Sequence, residues 1–280
     1  MLVLCGMCVA LGACGESGNR GAVAGRGGSH LDSGHGYGSA VPAEPARNVN
    51  IAATVHAVSP AITLGAVVVD RERDEELVAI NAGRQFRSAS IVKLLIAIDT
   101  LRREPDSRER VAEMLTYSDN RIASALWVDG GWGAIVSRTA ARIGLRDTEP
   151  PQPIGQWGNT LLSAQDVVRI YRYILTELSA TDRELIISAL AGTSRVASDG
   201  WYQHFGIPDG IEAPWAIKQG WSNSAEDYVV HTTGLVGGDY RYIVVLLLED
   251  DVPASWDTLR RAATAAAAET APLFVRGAGH

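Results

Sequence analysis

The chain has 280 residues, 46% of them hydrophobic, and 25 Lys and Arg against 32 Asp and Glu give a formal net charge of −7. That length builds one large domain or two small ones, each with a real core, and an acidic balance without a basic cluster argues against nucleic acid as a partner. The three cysteines, Cys5, Cys8 and Cys14, all precede residue 15, so no disulfide framework is expected in the rest of the chain.

Residues 1–14 are apolar and too short for a lasting membrane span; they read as the hydrophobic region of an export signal. The positive residues that ordinarily precede such a region are missing, which fits a start upstream of Met1. Residues 15–46 are rich in Gly, Ser and Ala and read as a flexible tether. A folded domain is expected over 47–275. It opens with a helix from Arg47 to Val58, ended by Pro60. A strand over Thr63–Asp70, a charged turn and a second strand over Glu76–Ile80 make a hairpin.

The stretch Ser88-Ala89-Ser90-Ile91-Val92-Lys93-Leu94-Leu95-Ile96-Ala97-Ile98 comes next. Ile91, Leu94, Leu95 and Ile98 recur at helical spacing, and Val92, Ile96 and Ala97 fill the other sides, so the helix belongs in the core. Lys93 is the one charge inside that stretch. A lysine taken out of water shifts toward its neutral form, and an amine three residues after a serine shares its face and can take the hydroxyl proton. The plain alternative is a core helix whose lysine reaches back to the surface.

Asp106 with Glu109 is a capping pair for a helix to about Leu115, and the loop Thr116-Tyr117-Ser118-Asp119-Asn120 follows. Helices are expected over Ile122–Trp127 and Gly133–Ile143, the latter closed by Gly144. A Pro- and Gly-rich loop spans 149–159. Ser163 caps a helix to about Glu177, and Thr181 with Glu184 caps another to Leu190. The helical subregion thus covers about 90–212. Three strands follow: Trp215–Gln219, Tyr228–Val236 and Tyr240–Leu248, the last two joined at Gly237-Gly238-Asp239. Ser255 caps a final alanine-rich helix. Strands at both ends and helices between them predict an α+β protein: a five-stranded antiparallel sheet flanked by terminal helices, with an inserted all-helical region.

Three short elements stand in one order: Ser90-x-x-Lys93, Ser118-Asp119-Asn120 and Lys218-Gln219-Gly220. With them the chain resembles the penicillin-recognising serine enzymes, the class A β-lactamases and D-alanyl-D-alanine peptidases, whose set is S-x-x-K, S-D-N and K-T-G. The resemblance covers roughly 47–275 and includes Phe86, Tyr117 and the Gly144–Thr148 turn. It implies that Ser90 attacks a carbonyl and forms an acyl-enzyme, that Lys93 activates it, and that Ser118 relays a proton to the leaving nitrogen. Lys218 would hold the proton balance and attract a substrate carboxylate, and Asn120 would hold a substrate amide. The backbone N–H groups of Ser90 and Trp221 would form the oxyanion hole. Leu11-Gly12-Ala13-Cys14 resembles the bacterial lipobox, which implies cleavage before Cys14, lipid attachment to its thiol and anchoring outside the cytoplasm. Taken singly, Ser118-Asp119-Asn120 reads as a polar turn and Lys218 as an exposed strand lysine.

The departures are specific. Gln219 replaces a threonine or serine, and it with Gly220 is expected to line the substrate site. Trp221 is large and would narrow the cleft. The glutamate that serves as deacylation base in class A β-lactamases would fall near Ile154, and no glutamate lies between Pro150 and Glu177. Glu149 arrives about five residues early. No arginine lies between Trp221 and Asp239. His231 reads either as a base or oxyanion partner beside the substrate, or as a satisfied strand histidine. His204, among Trp201, Tyr202 and Phe205, reads as aromatic packing, and Trp157 lies in the loop that would line the cleft. The expected activity is a serine acyl-enzyme hydrolase or acyltransferase acting on amides or esters, with peptidoglycan stem peptides or β-lactams as the implied substrates and without efficient β-lactamase turnover. The alternative is an inactive cell-envelope binding protein of the same fold. No metal cluster and no nucleotide loop stand out, so no cofactor is expected.

Overall fold

The computed structural model describes residues 49–224, 227–251 and 255–274. The expected signal, its Cys14 and the tether of residues 15–46 lie outside the described residues. Nine helices and seven strands follow in chain order: α1 (Ile51–Val58), β1 (Ile62–Asp70), β2 (Glu75–Ile80), β3 (Gln85–Arg87), α2 (Lys93–Arg103), α3 (Arg108–Thr116), α4 (Asn120–Asp129), α5 (Ala134–Ile143), β4 (Leu161–Ser163), α6 (Ala164–Thr176), α7 (Ala180–Ala191), α8 (Ile207–Gly210), β5 (Trp215–Asn223), β6 (Tyr228–Val236), β7 (Tyr242–Asp250) and α9 (Trp256–Thr270). These counts refer to the described residues.

The five long strands form one antiparallel sheet in the order β2-β1-β7-β6-β5, so the first and last of them in chain order pair inside it, β1 with β7. Both faces are covered, which is why the central strands are continuous apolar runs rather than alternating ones. Val67, Val69, Val245 and Leu247 face the inserted helices α2–α7. Val68, Leu64, Val244 and Leu246 face α1 and α9. A small second sheet, β3 with β4, was not expected; three residues per strand carry too little pattern to be read.

The inserted region is built around α2. Residues Ala89 to Leu101 are all buried, so truncating one of its leucines is expected to cost about 2–5 kcal/mol. The helix holds a second buried charge, Asp99, beyond the stretch singled out above. Arg103 and Arg138 both bond to its carboxylate, which compensates its removal from water. Two caps differ from expectation. Ser107, not Asp106, precedes α3, and Ser179, not Thr181, accepts from Asp182 N at the start of α7. Thr181 falls inside the first turn of α7, where Ser179 is the residue just before it, and Ser107 precedes α3 without a side-chain cap bond. Ser163 and Ser255 cap α6 and α9 as their spacing predicts. Phe86 packs on the sheet at Gly65, where a Cβ would stand 2.6 Å from its Cε2.

Candidate active site

Ser90 does not belong to the first turn of α2. It sits in a 3-10 turn, Ala89–Val92, that runs directly into α2 at Lys93. In that geometry residues three apart eclipse one another, and Lys93 Nζ comes to 3.0 Å from Ser90 Oγ. Ala89 just before it has φ +44°, and Ser118 has φ +50°. A non-glycine residue in this region is strained by about 1–2 kcal/mol. Surrounding bonds hold both: Ser88 N donates to Thr160 O at 2.7 Å and Asp119 N to Met114 O at 3.1 Å. Asp119 itself caps α4, accepting from Arg121 N and Ile122 N.

Lys93 is fully buried. Its amine lies 2.6 Å from Ser118 O, 3.0 Å from Ser118 Oγ and 2.7 Å from Asn120 Oδ1. These partners are a carbonyl, hydroxyls and an amide; none is a carboxylate. Burial, and then the charge of Lys218, hold the amine well below the ordinary lysine range. A neutral amine has two N–H groups and one lone pair. Ser118 O and Asn120 Oδ1 are pure acceptors and engage the N–H groups, so the lone pair is left for a serine O–H.

Lys218 enters from β5, also buried, and donates to Ser118 Oγ at 3.0 Å and to Gln219 O at 2.9 Å. Burial lowers its pKa to about 7, with Asp199 opposing. Beneath it, Tyr171 OH meets Thr233 Oγ1 at 2.9 Å, and Thr233 Oγ1 donates to Lys218 O at 2.8 Å. This support was not read from the sequence, because Tyr171 resembles any other apolar position of α6. Gly220 packs on the serine turn: a Cβ there would stand 3.1 Å from Ser88 O. Ser90, Lys93, Ser118, Asn120 and Lys218 therefore share one cluster.

Other expected site residues are placed elsewhere. Successive β-strand side chains point to opposite faces, so Gln219 turns away from Lys218. It is fully buried, its Nε2 donating to Gln203 O and Phe205 O. Trp221 follows the same alternation: its ring stacks on Trp201 at 5.7 Å rather than narrowing the cleft over the serine. His231 shares the face of Lys218 but is covered by β3. Its Nε2 bonds to Arg87 O at 2.7 Å and its Nδ1 accepts from Leu248 N at 3.3 Å. Burial lowers its pKa to about 4. With both nitrogens engaged, it is the satisfied strand histidine and not a free base. His204 bonds to Thr193 O and packs edge-on against Trp215.

The loop of residues 149–159 brings Trp157 over Lys93, with the amine 4.9 Å from the ring centroid. Glu149 is turned to Gln85 Nε2 at 2.9 Å. Ile154, where a deacylation glutamate was sought, only offers its carbonyl to Trp127. Asp166 spends its carboxylate on the backbone of Arg146 and Asp147. Asp199 was missed. It lies in a Ser-Asp-Gly turn far from any motif, yet its charge acts on both lysines. Among the described residues no group of three or more His, Cys, Asp or Glu is gathered as a metal site.

No protein-family model matches the chain. LppW of Mycobacterium tuberculosis, provisionally named a lipoprotein, is 37% identical over 227 residues, covering 76% of this chain and 71% of LppW. LppW of Mycobacterium bovis matches to the same extent. Among solved structures, the β-lactamase of Streptomyces albus G superimposes with a TM-score of 0.62 at 19% identity, over 80% of this chain and 98% of the other. A variant of the last common ancestor of Gram-negative class A β-lactamases gives 0.68 at 14% identity, over 82% and 100%. At such identities the likeness is one of fold: a β-lactamase fold with its five-stranded antiparallel sheet and helices.

Proposed function

We infer function from two premises: this chain belongs to the family of LppW, and it carries the fold of the class A β-lactamases. We propose that it is a serine acyl-enzyme hydrolase or acyltransferase acting on amides or esters in the cell envelope. The observation that carries this is the place of Lys93 Nζ, 3.0 Å from both Ser90 Oγ and Ser118 Oγ, buried and without a carboxylate partner.

Ser90 Oγ attacks the substrate carbonyl while its proton passes to the Lys93 lone pair. The oxyanion meets the backbone N–H groups of Ser90 and Trp221. As the tetrahedral intermediate collapses, Ser118, fed by Lys93 and Lys218, protonates the leaving nitrogen or oxygen, and acyl-Ser90 remains. Asn120 keeps its Oδ1 on Lys93 and offers its Nδ2 to a substrate carbonyl. Water or an acceptor amine then takes the acyl group. Trp157, not a carboxylate, covers Lys93 on the side of the loop, so deacylation is slow and efficient β-lactamase turnover is not expected. β-Lactams and peptidoglycan stem peptides are the family-level substrates. The name of LppW supports lipid anchoring through Cys14.

Intact-mass spectrometry of the full chain with a fluorophosphonate, and separately with a penicillin, tests this beside Ser90→Ala. A Ser90-dependent adduct with a long lifetime is expected. The covering of Lys93 by Trp157 and the turning away of Gln219 favour one second reading, a binding protein of this fold that forms no acyl-enzyme. Absence of an adduct with either reagent would select it.

A further inference from the structure

Asp199 joins the two sides of the cleft at one end. Its turn is fixed to the Ser118 loop, because Ser198 N donates to Tyr117 O at 2.9 Å. It is fixed to β5 as well, because Trp221 Nε1 donates to Asp199 Oδ2 at 3.2 Å. Trp201 N donates to the other carboxylate oxygen at 3.1 Å. The turn closes on itself through Ala197 N and Trp201 O at 2.8 Å, with Gly200 at φ +87°. An exposed carboxylate is thus held in one orientation at the mouth, next to the residue that precedes Ser118 and the residue that follows Lys218-Gln219-Gly220.

Asp199 adds a fixed negative charge at this end, and burial holds both Lys93 and Lys218 below the ordinary lysine range. Strands β5 and β6 carry no arginine. Arg87, on the adjacent β3, has its guanidinium committed to Asp227 and Ser222. An incoming carboxylate meets the fixed charge of Asp199. An ammonium meets that carboxylate directly, beside Tyr117, which is 47% exposed.

We propose that Asp199 is a specificity-determining residue: the site takes acyl donors whose leaving group carries an ammonium at the end between Tyr117 and Trp221, and disfavours those carrying a carboxylate there. This rests on the reading of Ser90 as the nucleophile. Among the esters and amides of the proposed reaction it favours those with an amine on the leaving side over those with a carboxylate there.

Three aryl acetates with leaving phenols that carry an aminomethyl, a methyl or a carboxylate substituent test it on the full chain. Each Ser90-dependent kcat/KM is divided by the uncatalysed hydrolysis rate of the same ester. The ammonium ester is expected to exceed the carboxylate ester by roughly tenfold, the scale of one exposed charge acting with opposite signs. Asp199→Asn, which keeps an oxygen for Trp201 N, is expected to bring that ratio within about twofold of unity. High salt on the wild-type protein should shrink it too, since the charge is exposed. A ratio unchanged by Asp199→Asn and by salt, or a wild-type preference for the carboxylate ester, overturns the proposal while leaving Ser90 in place. Failure of the fluorophosphonate to label Ser90, with no ester consumed, overturns the nucleophile reading and this inference with it.

Discussion

Lys218 Nζ donates to Ser118 Oγ at 3.0 Å, across 100 positions of sequence. The same hydroxyl lies 3.0 Å from Lys93 Nζ, so one serine links two buried amines that approach it from different layers of the protein. Burial, and then the charge of Lys218, disfavour the charged form of Lys93, which leaves a basic amine beside Ser90.

Replacing Lys93 with Met should slow fluorophosphonate labelling of Ser90 by about 10²–10⁴-fold, the usual weight of a positioned general base. The fold should survive. Ser118 O and Asn120 Oδ1 lose a donor, but a buried amine is also removed, and the two effects oppose. Stopped-flow labelling beside a thermal melt checks both halves. Labelling at the wild-type rate would remove Lys93 from the mechanism.

Lys218 makes stability depend on pH. Its pKa is about 7 in the folded protein and about 10.4 in an unfolded chain. Below pH 7 both states carry the proton and no slope arises. Between about 7 and 10 the unfolded chain binds a proton that the folded one has released, so unfolding free energy rises with pH by about 1.4 kcal/mol per unit. Urea titrations at pH 7 and pH 9 should show the wild type gaining a few kcal/mol relative to Lys218→Met. An equal pH response in both proteins would refute the assignment.

Trp157→Ala should let water reach Lys93. Weaker desolvation raises the amine toward its ordinary value, so the acid limb of the labelling rate against pH should move to higher pH. The shift is read from the profile itself, so a general loss of rate does not imitate it. An unmoved limb would mean that Trp157 does not shield the amine.

His231→Ala should act on stability alone. It removes the ring's bonds with Arg87 O and Leu248 N, at about 0.5–1.5 kcal/mol for each. The pH profile of labelling should keep both limbs where they were, because a histidine with a pKa of about 4 and two engaged nitrogens carries no proton for the reaction. Movement of a limb would restore His231 as a base.

Much of this protein was legible in order along the chain. The apolar runs of β1, β6 and β7 read as strands because they are covered on both faces, and the unbroken apolar circumference of residues 91–98 read as a core helix. Ser163, Gly144 and Ser255 marked helix ends by their own chemistry. The three-residue strands β3 and β4 were silent, being shorter than any period that reveals them.

Sequence alone determined which polar residues stand in the helix, loop and strand that meet at the cluster, because local spacing puts Lys93 on the face of Ser90 and a buried lysine needs polar company. Tertiary structure decided what each of them touches. Alternation along β5 sends Lys218 to Ser118 and turns Gln219 into the opposite core. The covering strand β3 takes up His231, the returning loop lays Trp157 over Lys93, and a turn some 80 residues beyond the Ser118 loop sets Asp199 at its mouth. These contacts come from the packing of elements distant in sequence, and no short window of residues carries that information.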